Sequence, residues 1–107
     1  MGGSAPFAPV KIRVSSRAQQ DADRHDAWWR VNRPAAPDLL IRELLHVLQL
    51  LEANPNLGAP YDASRFEGPV RRILMKKTER HVYYGLFGDE LIILAIWGTR
   101  RGRGPKL

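Results

Sequence analysis

His81 is the histidine of this chain whose neighbours could set up proton transfer. It lies in the run KKTERHVYYGL, behind Lys76, Lys77 and Arg80 and just ahead of Tyr83 and Tyr84. An imidazole titrates near neutrality and can exchange a proton with a reacting group, and flanking cations suit an anionic substrate. The plainer role is a strand histidine on a basic surface. His25 falls on one helical stripe with Ala18, Ala22 and Trp29 and reads as a satisfied, partly buried side chain, while His46 reads as a surface or partner-facing one. The three histidines share no ligand spacing with Asp or Glu and the chain has no cysteine, so neither a metal site nor a cofactor is expected.

The ending GTRRGRGPKL is the other stretch with chemistry in it. Its glycines, Gly98, Gly102 and Gly104, permit backbone shapes that fit a partner better than a core. It lacks the spacing of a phosphate-binding P-loop and of a dinucleotide fingerprint. Arg100, Arg101, Arg103 and Lys106 therefore form the expected target-binding surface, against the alternative of a solvated tail. From Val70 onward the chain holds nine basic and three acidic residues, whereas the first 69 residues sum to zero. Positive charge gathered in one structural unit draws in phosphate backbones or an acidic protein partner, and the count does not choose between them.

What must position these residues is one small domain. A chain of 107 residues with 44% hydrophobic content can bury a single core without disulfides. The absence of cysteine fits a reducing cytoplasm. The longest apolar run, Leu91 to Trp97, is too short for a membrane span. Residues 1–9 read as a flexible leader, and residues 10–107 as the domain, ending in the basic tail 98–107.

Val10, Ile12 and Val14 alternate with Lys11 and Arg13, which predicts a first strand. Ser15-Ser16 then offers a helix cap, with Ser16 and Gln19 spaced as a capping box. This helix should stop near Asn32-Arg33, ahead of Pro34. A second helix follows, with Pro37 in its first turn and the body LLIRELLHVLQLLEAN. Leu40, Leu44, Val47 and Leu51 make one apolar stripe, and Ile41, Leu45 and Leu48 a second beside it. That breadth exceeds what so small a domain should bury, so a groove on or beside the helices is expected to be covered by a partner segment. Asn56 to Pro69 reads as a loop. Val70 to Lys76, His81 to Phe87 and Leu91 to Trp97 then form an antiparallel meander, with Tyr83 and Tyr84 on opposite faces, one in the core and one exposed. The fold class is α+β, in the order strand, helix, helix, strand, strand, strand.

That order resembles the RelE/ParE family of toxins of bacterial type II toxin–antitoxin systems. The segments that carry the likeness are WWRVNRPAAPDLL, VRRILMKKTERHVYYGL and IWGTRRGRGPKL. The resemblance implies a helix hairpin packed on an antiparallel sheet, and a cognate antitoxin that neutralises the toxin, here on the stripe of Leu40, Leu44, Val47 and Leu51. Operator DNA would be reached only through the antitoxin, and no membrane is implied.

The family divides by target. RelE-like members are ribosome-dependent mRNA endonucleases, which need several basic groups around one phosphate. Matched to that pattern, this sequence has Arg72, His81 and Arg100, with Tyr83 nearby. It departs from it at Leu74, where a lysine is expected, and at the C-terminus, where a tyrosine is expected. The resemblance therefore leans toward a ParE-like toxin that poisons DNA gyrase without catalysis. The alternatives are a ribosome-dependent endonuclease acting on mRNA, and a degenerate toxin or basic binding module.

Overall fold

The computed structural model describes residues 10–63, 68–100 and 103–107. The expected leader, Arg101 and part of the expected loop lie outside the described residues. The elements are β1 (Lys11–Val14), α1 (Ser16–Asn32), α2 (Leu39–Ala53), β2 (Ala59–Tyr61), β3 (Val70–Met75), β4 (Arg80–Phe87) and β5 (Glu90–Gly98). This is the α+β architecture expected, with one strand more.

Local chemistry sets the helix ends. Ser15 is extended, and its hydroxyl accepts the Ala18 N–H at 3.0 Å, so it caps α1. The capping box expected from Ser16 and Gln19 is not made, because Ser16 is already inside the helix and Gln19 donates to Asp23 instead. At the far end the Arg33 N–H reaches the Trp29 carbonyl, and the buried Trp29 indole donates to Ala36 O at 2.9 Å. One aromatic residue thus fastens the connection that turns the chain back into α2. Pro37 lies just ahead of α2 rather than in its first turn.

The five strands form one sheet in the order β1-β5-β4-β3-β2. The meander of β3, β4 and β5 is antiparallel as expected, while β1 runs parallel to β5 at one edge, with Ile12 opposite Leu91, so the sheet is mixed. Gly88 turns β4 into β5 at φ +55°, a conformation glycine adopts freely.

β2 corrects the loop expected from Asn56 to Pro69. Ala59 and Tyr61 pair opposite Arg72 and Val70, with Pro60 between them. A proline inside a run argues against a central strand, but on an edge its missing N–H costs no ladder bond. The approach to β2 is tight: a Cβ on Gly58 would lie 2.7 Å from both Arg72 O and the Tyr84 hydroxyl.

Both helices cover one face of the sheet. Ala18 and Ala22 from α1, Val47 and Leu51 from α2, and Met75, Val82, Tyr84, Leu91, Ile93 and Ile96 from the strands make the core. The register of β4 against β5 shifts between Tyr83 and Tyr84, which face Ala95 and Ile93 and leave Leu94 unpaired. Just beyond the shift, the buried Asp21 accepts the Ile96 N–H at 3.0 Å and pairs with Arg24 at 2.8 Å. A buried carboxylate is tolerated there because both a backbone donor and a guanidinium satisfy it.

Candidate functional site

Strand alternation sends Tyr61, Arg72, His81, Tyr83 and Trp97 to the sheet face that the helices do not cover. Tyr61 and Tyr83 meet edge to face at 4.8 Å between ring centroids. The Arg72 guanidinium sits 5.4 Å from the Tyr61 ring and donates to the Tyr83 hydroxyl at 3.3 Å. The His81 ring lies 6.0 Å from that of Tyr83. Three of the four residues matched to the nuclease pattern therefore share one cleft, of about 150 Å³. Arg100 is not among them: it pairs with Glu79 at 3.3 Å and lines a different cavity. Burial lowers the His81 pKa from its ordinary value, and the Arg72 charge lowers it further.

The tail closes this face. The Trp97 indole donates to Arg103 O at 2.7 Å, the Arg17 guanidinium donates to Lys106 O, and Pro105 is buried. Gly104 rests on Tyr61, so closely that a Cβ there would run into the phenol oxygen. The expectation that one of the paired tyrosines is exposed is thereby overturned, since Tyr83 is 1% and Tyr84 0% exposed. The two do face opposite sides of the strand, but Tyr61 and the returning tail lie over the side that period alone leaves open. Gly104 serves this internal contact. The side chains of Arg100, Arg103 and Lys106 remain exposed, the condition for the target-binding surface expected of them.

A second cavity, of about 370 Å³, opens where the end of α1 meets the β3–β4 turn and the exit of β5. Trp28, 44% exposed, contributes to its wall together with the buried Trp29, their ring centroids 6.2 Å apart. The guanidiniums of Arg33 and Arg80 each lie 5.4 to 5.8 Å from both indoles. Arg80 Nε donates to His25 Nδ1 at 2.9 Å, and His25 Nε2 faces Ile96 O at 3.3 Å, which fixes a neutral ring with its proton on Nε2. Burial lowers the His25 pKa, with the Arg80 charge the next cause. Glu43 of α2 holds the turn by accepting the Lys77 and Thr78 backbone N–H groups at 2.9 and 3.0 Å.

The sequence pattern named Arg33 only as a helix end and Arg80 only as a neighbour of His81, and it placed Trp29 on a packing stripe. The available signal was the pair itself. Adjacent helical residues point about 100° apart, so with Trp29 on the buried stripe of Ala18 and Ala22 the Trp28 ring is turned toward its edge.

The helix stripe expected to meet an antitoxin is turned inward. Leu40, Val47 and Leu51 are buried, and Leu44 packs partly against the core. The large apolar side chains that the helices expose are instead Trp28, Val31, Leu45 and Leu50. The core took the stripe because α2 packs on both β3 and β1 as well as on α1. Among the described residues no group of three or more His, Cys, Asp or Glu is placed to hold a metal ion, and no helix is long and apolar enough to cross a membrane.

A family model described as the ParE toxin of type II toxin-antitoxin system, parDE, matches residues 12–102. Among solved structures, one titled "Chromosomal ParDE TA system from P. aeruginosa" is similar with a TM-score of 0.69 and 20% identity. The match covers 85% of this chain and 97% of that one, and at such identity it speaks for the fold alone. No curated protein matches significantly.

Proposed function

The chain belongs to the family of ParE toxins of type II toxin–antitoxin systems, and from that membership we propose that it inhibits DNA gyrase in the cytoplasm until a cognate antitoxin covers it. The observation that carries the non-catalytic reading is the separation of the cationic groups. Cleavage of RNA needs a base, an acid and charge-stabilising donors around one phosphate. Here Arg72, His81 and Tyr83 line one cleft and Arg100 another, and the Tyr83 hydroxyl is buried. Burial and the Arg72 charge lower the His81 pKa, which disfavours the charged form that a general acid uses.

The outward side chains of Arg100, Arg103 and Lys106 suit an acidic protein surface, where clustered charge speeds encounter and sets orientation. Val31, Leu45 and Leu50 are the helix positions offered to an amphipathic antitoxin segment, and operator DNA is reached through the antitoxin. The contact of Arg72 with Tyr83, beside His81, favours a second reading as a ribosome-dependent mRNA endonuclease.

Controlled expression with parallel readout of plasmid supercoiling and mRNA 5′ ends separates the two. Loss of negative supercoiling with unchanged 5′ ends is expected, and His81→Gln retains toxicity. A fall of about 10²-fold or more in cleavage on His81→Gln, with the fold intact, would make the endonuclease the leading reading.

A further inference from the structure

We propose that the cavity between Trp28, Arg33, Arg80 and Arg100 is a binding site for a phosphate-bearing small molecule of nucleotide size. The charge there is one-sided. Arg33, Lys77, Arg80 and Arg100 contribute four cations to its wall and Glu79 one carboxylate, which is already paired with Arg100 at 3.3 Å. Arg33 and Arg80 lean on the same two indoles, and among the described residues no carboxylate is bonded to either. Among the described residues their hydrogen bonds run to Asn32 O, Thr78 O and His25 Nδ1, which leaves guanidinium N–H groups of both without an acceptor there. Like charges held side by side, with the one on Arg80 partly buried, destabilise each other, and an anion between them reverses that sign. The depressed pKa of Arg80, caused first by burial and lowered further by Arg33 against the pull of Glu79, reflects this conflict.

The ligand chemistry follows from the donor set. A single carboxylate would neutralise one of these cations. A phosphate brings nearly two charges and three acceptor oxygens, and the planar forks of Arg33 and Arg80 match it. The partial negative charge at the end of α1 works against any anion, but Arg30 in its last turn and Arg33 at its cap offset it. The indole of Trp28, exposed at the rim, offers a face on which a base can stack. A volume of about 370 Å³ is within the range of small-ligand sites. Glu43 and Thr78 keep the turn in place without the ligand, so the site is formed in advance.

The test is titration of the full chain at low salt with pyrophosphate, AMP, ATP and citrate, followed by tryptophan fluorescence and calorimetry. Saturable binding of ATP and pyrophosphate is expected, at least tenfold tighter than citrate. The double variant Arg33→Ala/Lys77→Ala, changed only at exposed side chains, should weaken it at least tenfold with unchanged circular dichroism. Lys11→Ala/Arg13→Ala on the far edge of the sheet should leave it unaltered. ATP binding more tightly than pyrophosphate, with the difference lost in Trp28→Ala, identifies a nucleotide; equal binding identifies a phosphate site that reads no base, and either supports the proposal. No saturable binding, citrate binding as tightly as pyrophosphate, or full binding by Arg33→Ala/Lys77→Ala would overturn it.

Discussion

Tyr83 and Tyr84 are neighbours in β4, both out of contact with solvent, and they are buried in different ways. Tyr84 is sealed by two helices, and its hydroxyl is saturated: it accepts the Gly58 N–H at 2.9 Å and donates to Pro55 O at 2.8 Å. Tyr83 is closed off by Tyr61 of a three-residue edge strand and by the returning tail, and its hydroxyl accepts one bond of 3.3 Å from Arg72. The helix side is a core made of long elements that hold each other. The other side is a cover fastened at a few points, over the cleft of Arg72, His81 and Tyr83. The two faces of one sheet are closed by different means.

The sharpest way to break this contrast is to truncate each tyrosine. Tyr84→Ala opens a cavity in the helix-side core and strands the Gly58 N–H and Pro55 carbonyl, so a loss of about 3–5 kcal/mol is expected in urea unfolding. The hydroxyl alone discriminates further. Tyr84→Phe should cost about 1–3 kcal/mol because two partners lose their bond, whereas Tyr83→Phe frees only an arginine that can turn to water. Equal costs for the two Phe variants would mean that the faces do not differ in this respect.

Next in size is removal of Arg103 to Leu107. The bonds from Trp97 to Arg103 O and from Arg17 to Lys106 O are lost and Pro105 leaves its site, which should cost about 1–2 kcal/mol. The helix-side core should be untouched. Quenching of Trp97 by acrylamide should rise while that of Trp29 does not, read in variants that keep one tryptophan each. Unchanged quenching of Trp97 would show that the tail is not its cover.

The same division explains what could be read from sequence. The helix-covered face follows from periodicity: the alternation at Val10 and Ile12, the stripe of Leu40, Val47 and Leu51, and the apolar run from Leu91 all sort side chains by a repeat. β2 was missed because three residues around Pro60 carry no period, and their place depends on Gly58 admitting the chain to within contact of Tyr84. The burial of Tyr83 was missed for a related reason. It depends on Arg103 and Gly104 arriving from the far end of the chain beside Tyr61 and Tyr83, and a contact of that kind leaves no local pattern. Of the candidate site, the grouping of Arg72, His81 and Tyr83 was legible because β3 and β4 pair antiparallel as expected, which sets Arg72 opposite Tyr83. Arg33 and Arg80 were not, since it takes the tertiary fold to bring the end of α1 against a hairpin turn.

The response to pH separates the faces more gently. His25 and His81 both have folded-state pKa values below 6.5, so the unfolded chain binds more protons as pH falls through that window. Their contribution to stability is fully present above about pH 6.5, the unfolded value, and declines as pH falls toward the lowered folded values. His25 sits deeper, and its protonation breaks the bond from Arg80 and sets two cations together. His25→Gln should therefore flatten the stability profile between pH 7 and 5 more than His81→Gln does. The reverse order would mean that the tail-covered face is the more tightly closed of the two.

The smallest expected effect on folding comes from the outermost charges, and it is the one that bears most on function. Arg100→Ala, Arg101→Ala and Arg103→Ala together remove three cations from the tail, and at the exposed Arg100 and Arg103 such changes shift stability by under about 0.5 kcal/mol each. Arg100 loses only an exposed pair with Glu79, which contributes little. Arg103 is held through its backbone carbonyl to Trp97, a bond that alanine keeps. The tail should stay folded over Tyr83, so any change in activity belongs to the charge itself. On the proposed function, growth inhibition should fall, raised salt should weaken the proposed gyrase inhibition by the parent protein in the same direction, and antitoxin binding on the proposed helix side should persist. Growth inhibition at the parental level would move the working surface off the tail, to the cleft of Arg72 and His81 that the tail partly roofs.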